Sequence, residues 1–167
     1  MNNPLCQLSR YGQAYWIDNL TRSMIRSGEL NTRVAEHGLR GVTSNPAIFH
    51  KAIAGSNEYD AQIQQLVHEG LAIHDIYEQL IVTDIQEACD ILRSVYDATD
   101  RMDGYVSLEV SPYLAHDTAG TMQEVRRLWH AVDRPNLFIK IPGTSAGVPA
   151  VEEMLFEGIN INITLLF

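Results

Sequence analysis

Five short apolar segments recur along the chain, and a longer segment of mixed character separates each from the next. Their length and composition predict β-strands at residues 15–19, 40–43, 104–110, 136–141 and 159–167. Strands that alternate with helical segments are typical of βαβ units, whose strands run parallel. The pattern therefore predicts an α/β protein with a parallel sheet.

The segments between these strands carry helical patterns of apolar residues. Three helices are predicted at residues 30–37, 118–132 and 148–156. The long polar stretch from Ser56 to about Asp100 also has apolar residues three and four positions apart. A break at Glu69–Gly70 divides this stretch into two further predicted helices.

The number of strands bears on the fold class. A (β/α)8 barrel of the TIM type has eight strands and typically about 250 residues, whereas this sequence has 167 residues and five predicted strands. It ends at Leu165-Leu166-Phe167, within an apolar strand that no covering helix follows. We therefore expect residues 1–167 to be the N-terminal portion of a single (β/α)8 barrel domain, with only about the first five strands. A five-stranded open sheet is the alternative.

Composition narrows the possible functions. Of the 167 residues, 46% are hydrophobic and 20% are charged, as in ordinary soluble domains. A net charge of −9 argues against nucleic-acid binding, which requires a basic surface. No stretch reaches the roughly 18 apolar residues of a membrane span, and the chain's start lacks the apolar core of a signal peptide. Since Cys6 and Cys89 form no metal-ligand pair or disulfide framework, we expect a cytoplasmic protein without nucleic-acid or membrane partners.

Polar residues fall on one face of every predicted strand, near its C-terminal end. Side chains alternate between the two faces of a strand, so parity separates the interior of a barrel from its helix-covered exterior. The polar face carries Asp18, Thr43, Asn45, Ser107, Glu109, Lys140, Asn160, Asn162 and Thr164. Active sites of (β/α)8 barrels lie at the C-terminal ends of the strands, and barrel interiors otherwise prefer branched apolar residues. This polar lining therefore predicts a functional site.

Each of these residues also has a purely structural interpretation. A lone carboxylate at a strand end, such as Asp18 or Glu109, is most often a helix cap or a solvated loop residue. Lys140, which is flanked by apolar residues, can form a buried ion pair with either carboxylate. Asn45 precedes Pro46 and can cap a helix that starts there. The agreement of five strands on one polar face favours a site over these separate explanations.

The polar asparagines and threonines of the last strand also have two interpretations. Asn160, Asn162 and Thr164 can form a buried polar ladder whose hydrogen bonds are all satisfied. In a site, asparagine and threonine can instead hold the hydroxyl groups of a sugar without adding charge.

The residue types suit one kind of chemistry. An amine in apolar surroundings tends to be neutral, and a neutral lysine amine can attack a ketone to form a Schiff base. Carboxylates can carry the proton transfers that this reaction needs, and Asp18 and Glu109 lie on different predicted strands. The combination predicts an aldolase-type site with Lys140 as the nucleophile. A metal-dependent aldolase is disfavoured because the six histidines, at 37, 50, 68, 74, 116 and 130, are scattered without ligand spacing.

Three motifs resemble one known family, the transaldolases. Gly41-Val-Thr-Ser-Asn-Pro46 resembles the transaldolase signature Gly-Val-Thr-Ser/Thr-Asn-Pro, and the following Ala-Ile-Phe-His-Lys-Ala-Ile is similar to the longer bacterial branch. Leu-Phe-Ile-Lys-Ile-Pro-Gly-Thr at 137–144 resembles the strand that carries the family's Schiff-base lysine. The residues at 159–167 resemble the strand after it. The motifs occur in family order, and the likeness covers the whole chain.

The resemblance implies a role for individual residues. Lys140 takes the position of the Schiff-base lysine and Asp18 that of the acid/base aspartate. Glu109 matches the glutamate that shuttles protons through a water with a threonine, here Thr164. The residues that contact substrate in the family fall on Thr43, Asn45 and Asn162.

The resemblance also implies an activity. Family members have a (β/α)8 fold, need no cofactor and no metal, and transfer a dihydroxyacetone unit from a ketose phosphate to an aldose phosphate. The serine and arginine that bind substrate phosphate in the family are expected beyond Phe167, so we expect this chain to be inactive alone. A related aldolase that cleaves fructose 6-phosphate without transfer, and a non-catalytic fragment, are the alternatives.

Overall fold

A computed structural model of the chain describes residues 3–166, and these contain five β-strands. They are β1 (Tyr15–Asp18), β2 (Leu39–Thr43), β3 (Tyr105–Glu109), β4 (Leu137–Pro142) and β5 (Ile161–Thr164). Every neighbouring pair is parallel, and the order across the sheet is β1-β2-β3-β4-β5. Parallel strands in sequential order with helices between them form part of a (β/α)8 barrel, as the pattern predicts.

The observed strand ends differ slightly from the predicted ones. The largest difference is in β5, which is predicted at residues 159–167 and extends only from Ile161 to Thr164. Leu165 ends the strand because its φ of 59° lies in the left-handed region, which an extended strand cannot accommodate. Phe167, the last residue of the predicted strand, lies outside the described residues.

Eight α-helices accompany the strands within residues 3–166. They are α1 (Pro4–Gln7), α2 (Arg22–Arg26), α3 (Glu29–His37), α4 (Pro46–Ala54), α5 (Asp60–His68), α6 (Ile73–Ala98), α7 (Thr118–Val132) and α8 (Gly147–Phe156). Two 3-10 turns lie at Leu8–Tyr11 and Pro112–Leu114. The predicted break between α5 and α6 is present at Gly70, whose φ of 81° suits a residue without a Cβ.

The outer face of the sheet forms the main core with the helices. Val42, Val106, Leu137, Ile139 and Ile141 lie on this face and are fully buried. Helix α6 covers β2 and β3 with a stripe of buried residues that includes Ile85, Ala88 and Leu92, whereas α7 and α8 cover β4. Burial of each large aliphatic side chain contributes about 1.5–3 kcal/mol, so this face fixes the strand register.

The other face of the sheet begins with an aromatic layer near the N-terminal ends of the strands. The Tyr105 and Phe138 rings stack with centroids 4.1 Å apart, and the Trp16 ring lies 6.5 Å from Phe138. Trp16 also packs directly on Gly41, where a Cβ atom would lie 2.2 Å from the indole. Because side chains alternate, residues two positions further along each strand lie above this layer, and those residues are polar.

Candidate active site

Lys140 is held at the centre of the polar face by two hydrogen bonds. It lies in β4 and is only 8% exposed, while its neighbours Ile139 and Ile141 are buried on the opposite face. Its Nζ lies 3.2 Å from Glu109 Oε2 and donates a hydrogen bond to the main-chain oxygen of Ser44 at 3.0 Å. Glu109 and Lys140 are register partners on β3 and β4, so their contact follows from strand pairing.

The contribution of Ser44 was not predicted. Its side chain is buried on the outer face, where its Oγ donates to the Ser107 carbonyl at 2.8 Å, and its main-chain N–H donates to the same oxygen at 3.2 Å. These two bonds fix the Ser44 peptide, which in turn presents its carbonyl to Lys140. A main-chain acceptor has no side-chain signature, and only its place within the Gly41–Pro46 motif could have suggested it.

The polar residues in β5 and just before it have two different roles. Asn162 is the register partner of Lys140, and its Nδ2 donates to Ser107 Oγ at 3.0 Å. Thr164 is half-buried at the end of the same strand, and its carbonyl accepts a hydrogen bond from Gly143. Asn160 donates instead to the carbonyls of Pro135 and Leu137, so the structural interpretation applies to this residue.

The remaining predicted residues lie at the ends of β1 and β2 and just after β2. Asp18 ends β1 opposite Thr43, and Thr43 lies opposite Ser107, so these side chains continue the polar face. The Asp18 side chain is exposed, and no hydrogen bond or ion pair with another residue of 3–166 holds its carboxylate. Asn45 caps α4, because its Oδ1 accepts a hydrogen bond from Ile48 N at 3.0 Å.

The loops that follow β3 and β4 are tied to each other beside the site. Thr144 Oγ1 donates to the Ala115 carbonyl at 2.6 Å, and Thr118 Oγ1 donates to the Ala146 carbonyl at 2.7 Å. These bonds connect the segments that leave Glu109 and Lys140. The ion pair is therefore held both by strand register and by the loops beyond it.

This arrangement can perform nucleophilic and acid/base chemistry. The Lys140 amine has a carboxylate within hydrogen-bonding reach, which is the geometry that proton transfer to or from the amine requires. A second carboxylate, Asp18, lies two strands away from Glu109 on the same face. Among residues 3–166, no three His, Cys, Asp or Glu side chains are grouped as metal ligands. None of the helices in this part of the chain has the length and apolarity to cross a membrane.

Fold and site together define an α/β-barrel protein with an amine–carboxylate pair at the carboxyl ends of its strands. Residues 15–167 match the family described as Transaldolase/Fructose-6-phosphate aldolase. The chain belongs to this family.

Curated relatives show the same similarity over the whole chain. The chain is 57% identical over 165 residues to "Transaldolase 2" of Nostoc punctiforme, an alignment that covers 99% of this chain and 43% of the relative. It is 55% identical to "Transaldolase 2" of a Nostoc species, with the same coverage of both proteins. It is 49% identical to "Transaldolase" of Trichodesmium erythraeum, over 100% of this chain and 44% of the relative. The chain therefore spans less than half the length of the curated relatives it matches.

Proposed function

We propose that this chain carries the covalent chemistry of a cytoplasmic transaldolase. The enzyme would transfer a dihydroxyacetone unit from sedoheptulose 7-phosphate or fructose 6-phosphate to glyceraldehyde 3-phosphate or erythrose 4-phosphate, in the non-oxidative pentose phosphate pathway. The observation that carries the proposal is the contact between Lys140 and Glu109, 3.2 Å apart on adjacent strands of a chain that belongs to this family. In this proposal, residues 1–167 are the N-terminal portion of one barrel domain.

The first half of the reaction forms the Schiff base. Glu109 first takes a proton from the Lys140 ammonium group with which it is paired. The resulting neutral amine attacks the ketone carbon of the donor, a C–N bond forms, and the carbonyl oxygen takes up a proton. Glu109, within hydrogen-bonding distance of Nζ, moves the protons that convert the carbinolamine to an iminium ion and release water. By family resemblance, Thr164 assists Glu109 through a shared water.

The second half breaks and remakes a C–C bond. Asp18 removes the proton of the hydroxyl group on the carbon of the scissile bond that becomes the aldehyde. The C–C bond breaks, and its electron pair moves into the iminium group to give an enamine. The aldose phosphate leaves, and the enamine attacks the aldehyde of the acceptor as Asp18 returns the proton. Water then hydrolyses the new iminium group, which releases the product ketose phosphate and the Lys140 amine. Thr43, Asn45 and Asn162 would bind substrate hydroxyls, with Asn162 oriented by Ser107.

The covalent step can be tested by trapping and peptide mapping, because residues 1–167 contain only two lysines, Lys51 and Lys140. A chimera can join this chain to the remaining C-terminal part of the Nostoc punctiforme relative. Borohydride reduction in the presence of fructose 6-phosphate should attach a three-carbon adduct to the peptide that contains Lys140. The Lys140→Met variant should lose this adduct, and the Lys51→Met variant, with an exposed lysine replaced, should keep it. An adduct at Lys51, or unchanged trapping by Lys140→Met, would overturn the assignment.

An aldolase that cleaves without transfer is the second candidate, because the family description includes fructose-6-phosphate aldolase. The three curated relatives described above are named transaldolases, which favours transfer. The chimera can be incubated with fructose 6-phosphate in the presence and absence of erythrose 4-phosphate. Turnover that depends on the acceptor supports a transaldolase, whereas release of free dihydroxyacetone at the same rate without acceptor supports the aldolase.

A further inference from the structure

A buried ion pair begins at Arg22, four residues after Asp18, and involves none of the residues that the proposed reaction uses. Arg22 Nε donates to Asp84 Oδ1 at 2.7 Å, and the two side chains are 1% and 0% exposed. The guanidinium also donates to the Leu80 carbonyl at 3.2 Å and lies 4.1 Å from the centre of the Tyr59 ring. Two nitrogens of the Arg22 guanidinium, Nε and Nη2, thus donate hydrogen bonds to helix α6.

Tyr59 extends this contact to the main chain of Arg22. The Tyr59 hydroxyl donates to Asp84 Oδ2 at 2.8 Å and accepts a hydrogen bond from Arg22 N at 3.3 Å. Both the side chain and the backbone of Arg22 are therefore fixed relative to Asp84. We call Arg22, Tyr59 and Asp84 the Arg22 network.

The position of the Arg22 network in the chain links it to Asp18. Arg22 begins α2 only four residues after Asp18, which ends β1. Between them, Leu20 is fully buried, and Thr21 caps α2 by accepting a hydrogen bond from Met24 N at 3.1 Å. The short connection is therefore held at one end by the pairing of Asp18 with Thr43 in β2 and at the other by Arg22.

Asp18 needs such support more than the other carboxylate does. Glu109 is oriented by its contact with Lys140, whereas no other residue of 3–166 makes a hydrogen bond or ion pair with the Asp18 carboxylate. The place of the Asp18 carboxylate on the polar face consequently depends on where the β1 backbone holds its Cβ atom. Stability alone does not explain the Arg22 network, because well-packed apolar residues often replace a buried ion pair without loss of stability.

We propose that Arg22, Tyr59 and Asp84 are positioning residues that hold the end of β1, so that Asp18 faces the bond to be cleaved. This inference rests on the role proposed above for Asp18. Displacing a catalytic group by about 1 Å can reduce the rate of a reaction about 10²-fold. Loosening the network should therefore slow C–C cleavage and leave Schiff-base formation at Lys140 intact.

The test uses Tyr59→Phe and Asp84→Asn in the chimera. Tyr59→Phe keeps the ring beside Arg22 and removes only the hydroxyl group, so this variant is expected to fold. Borohydride trapping with fructose 6-phosphate reports the two steps separately: an uncleaved donor leaves a six-carbon adduct on the Lys140 peptide, and a cleaved donor leaves a three-carbon adduct. Both variants should raise the share of the six-carbon adduct and lower kcat by about 10–100-fold.

A double-mutant comparison separates positioning from general loosening of the fold. If the Arg22 network acts through Asp18, Tyr59→Phe should lower kcat little further in an Asp18→Asn background. The proposal would be overturned if Tyr59→Phe lowered kcat by the same factor in the Asp18→Asn background as in the parent chimera. It would also be overturned if the network variants lowered only Tm and left the adduct ratio and kcat unchanged.

Two controls complete the design. Should Asp84→Asn fail to fold, the apolar pair Arg22→Met with Asp84→Leu replaces both charges together, and the same rise in the six-carbon adduct is expected from it. The parent chimera must trap substrate at Lys140, and Asp18→Asn must accumulate the six-carbon adduct. If the parent chimera or Asp18→Asn failed to give its expected adduct, the result would count against the proposed function itself. If both gave their expected adducts and the network variants behaved like the parent, the result would count against the positioning role alone.

Discussion

Glu109 and Asp18 are the two carboxylates of the candidate site, and their surroundings differ. Glu109 contacts the Lys140 amine, whereas Asp18 ends β1 with its carboxylate exposed on the same face of the sheet. Because Glu109 is close to the nitrogen, it suits proton transfers at the carbinolamine. Asp18 lies away from the nitrogen, which suits removal of a proton from the substrate hydroxyl group during C–C cleavage.

The two carboxylates should consequently fail at different steps when replaced. In the chimera, Glu109→Gln should slow formation and hydrolysis of the Schiff base, and Asp18→Asn should slow C–C cleavage, each by about 10²–10⁴-fold. Single-turnover kinetics with rapid quenching and borohydride trapping measures the steps separately. The division of roles would be wrong if both variants slowed the same step to the same extent.

The two cysteines provide a test of burial. Cys89 is fully buried in α6, where burial raises the pKa of its thiol and the nearby Asp90 carboxylate raises it further, whereas Cys6 is exposed. Because the thiolate is the reactive form, iodoacetamide at pH 8 should modify Cys6 in the native chimera and Cys89 only after denaturation. Peptide mass spectrometry of native and denatured samples, with Cys6→Ser as the control, measures this. Equal labelling of Cys89 in the native protein would contradict the described packing.

Parity along the strands predicts which side chains share a face, but it does not predict which of them touch. The sequence leaves Asp18 and Glu109 as equal partners for Lys140, and the register of β3 with β4 selects Glu109. The Ser44 carbonyl is unpredictable for another reason, since main-chain groups carry no residue-specific signal. Asn45 is the converse case, because its helix-capping role follows from the local sequence Asn-Pro.

At the scale of elements, long periodic helices are predicted well and short ones are not. Helix α7 has the predicted bounds, and the break between α5 and α6 falls at the expected glycine. Helices α1 and α2 were not predicted, because four and five residues are too few to show a 3.6-residue period. Helix α2 is also specified by distant contacts, namely those of Arg22 with Asp84.

The contact between β1 and β2 gives a prediction at this scale. A Cβ atom at Gly41 would lie 2.2 Å from the Trp16 ring, so Gly41→Ala must displace the indole or the strand. We expect a loss of about 1–3 kcal/mol in the free energy of unfolding, the usual cost of overpacking. Denaturant melts of the chimera measure this, and Trp16→Leu in the same chain should recover part of the loss. If the two substitutions changed the free energy of unfolding additively, the loss caused by Gly41→Ala would not come from the clash with Trp16.

At the scale of the whole molecule, the sheet has two edges within the described residues. Strand β1 pairs only with β2, and strand β5 pairs only with β4. Beside β5, Ile163 is 39% exposed, and Leu165 and Leu166 are 64% and 65% exposed. Unpaired strands with exposed apolar side chains pair readily with other chains.

The 167-residue polypeptide produced alone should therefore self-associate and lack transaldolase turnover. Sedimentation velocity should show a sedimentation coefficient that rises with concentration, while the chimera remains monodisperse because added strands cover both edges. Leu165→Lys combined with Leu166→Lys should weaken the association, since charged residues protect strand edges. A concentration-independent monomer with a cooperative melt and full activity would contradict this prediction.

Asn45 has two roles, one observed and one proposed, and this limits how its position can be varied to alter substrate scope by directed evolution. The oxygen that caps α4 belongs to a side chain that is also proposed to bind substrate. A library at position 45 that removes the oxygen loses the cap, at a cost of about 0.5–2 kcal/mol, before any gain in selectivity is measured. Libraries limited to Asp, Ser and Thr retain a cap, so new specificities at this position should be sought among those three residues or paired with a stabilising change elsewhere.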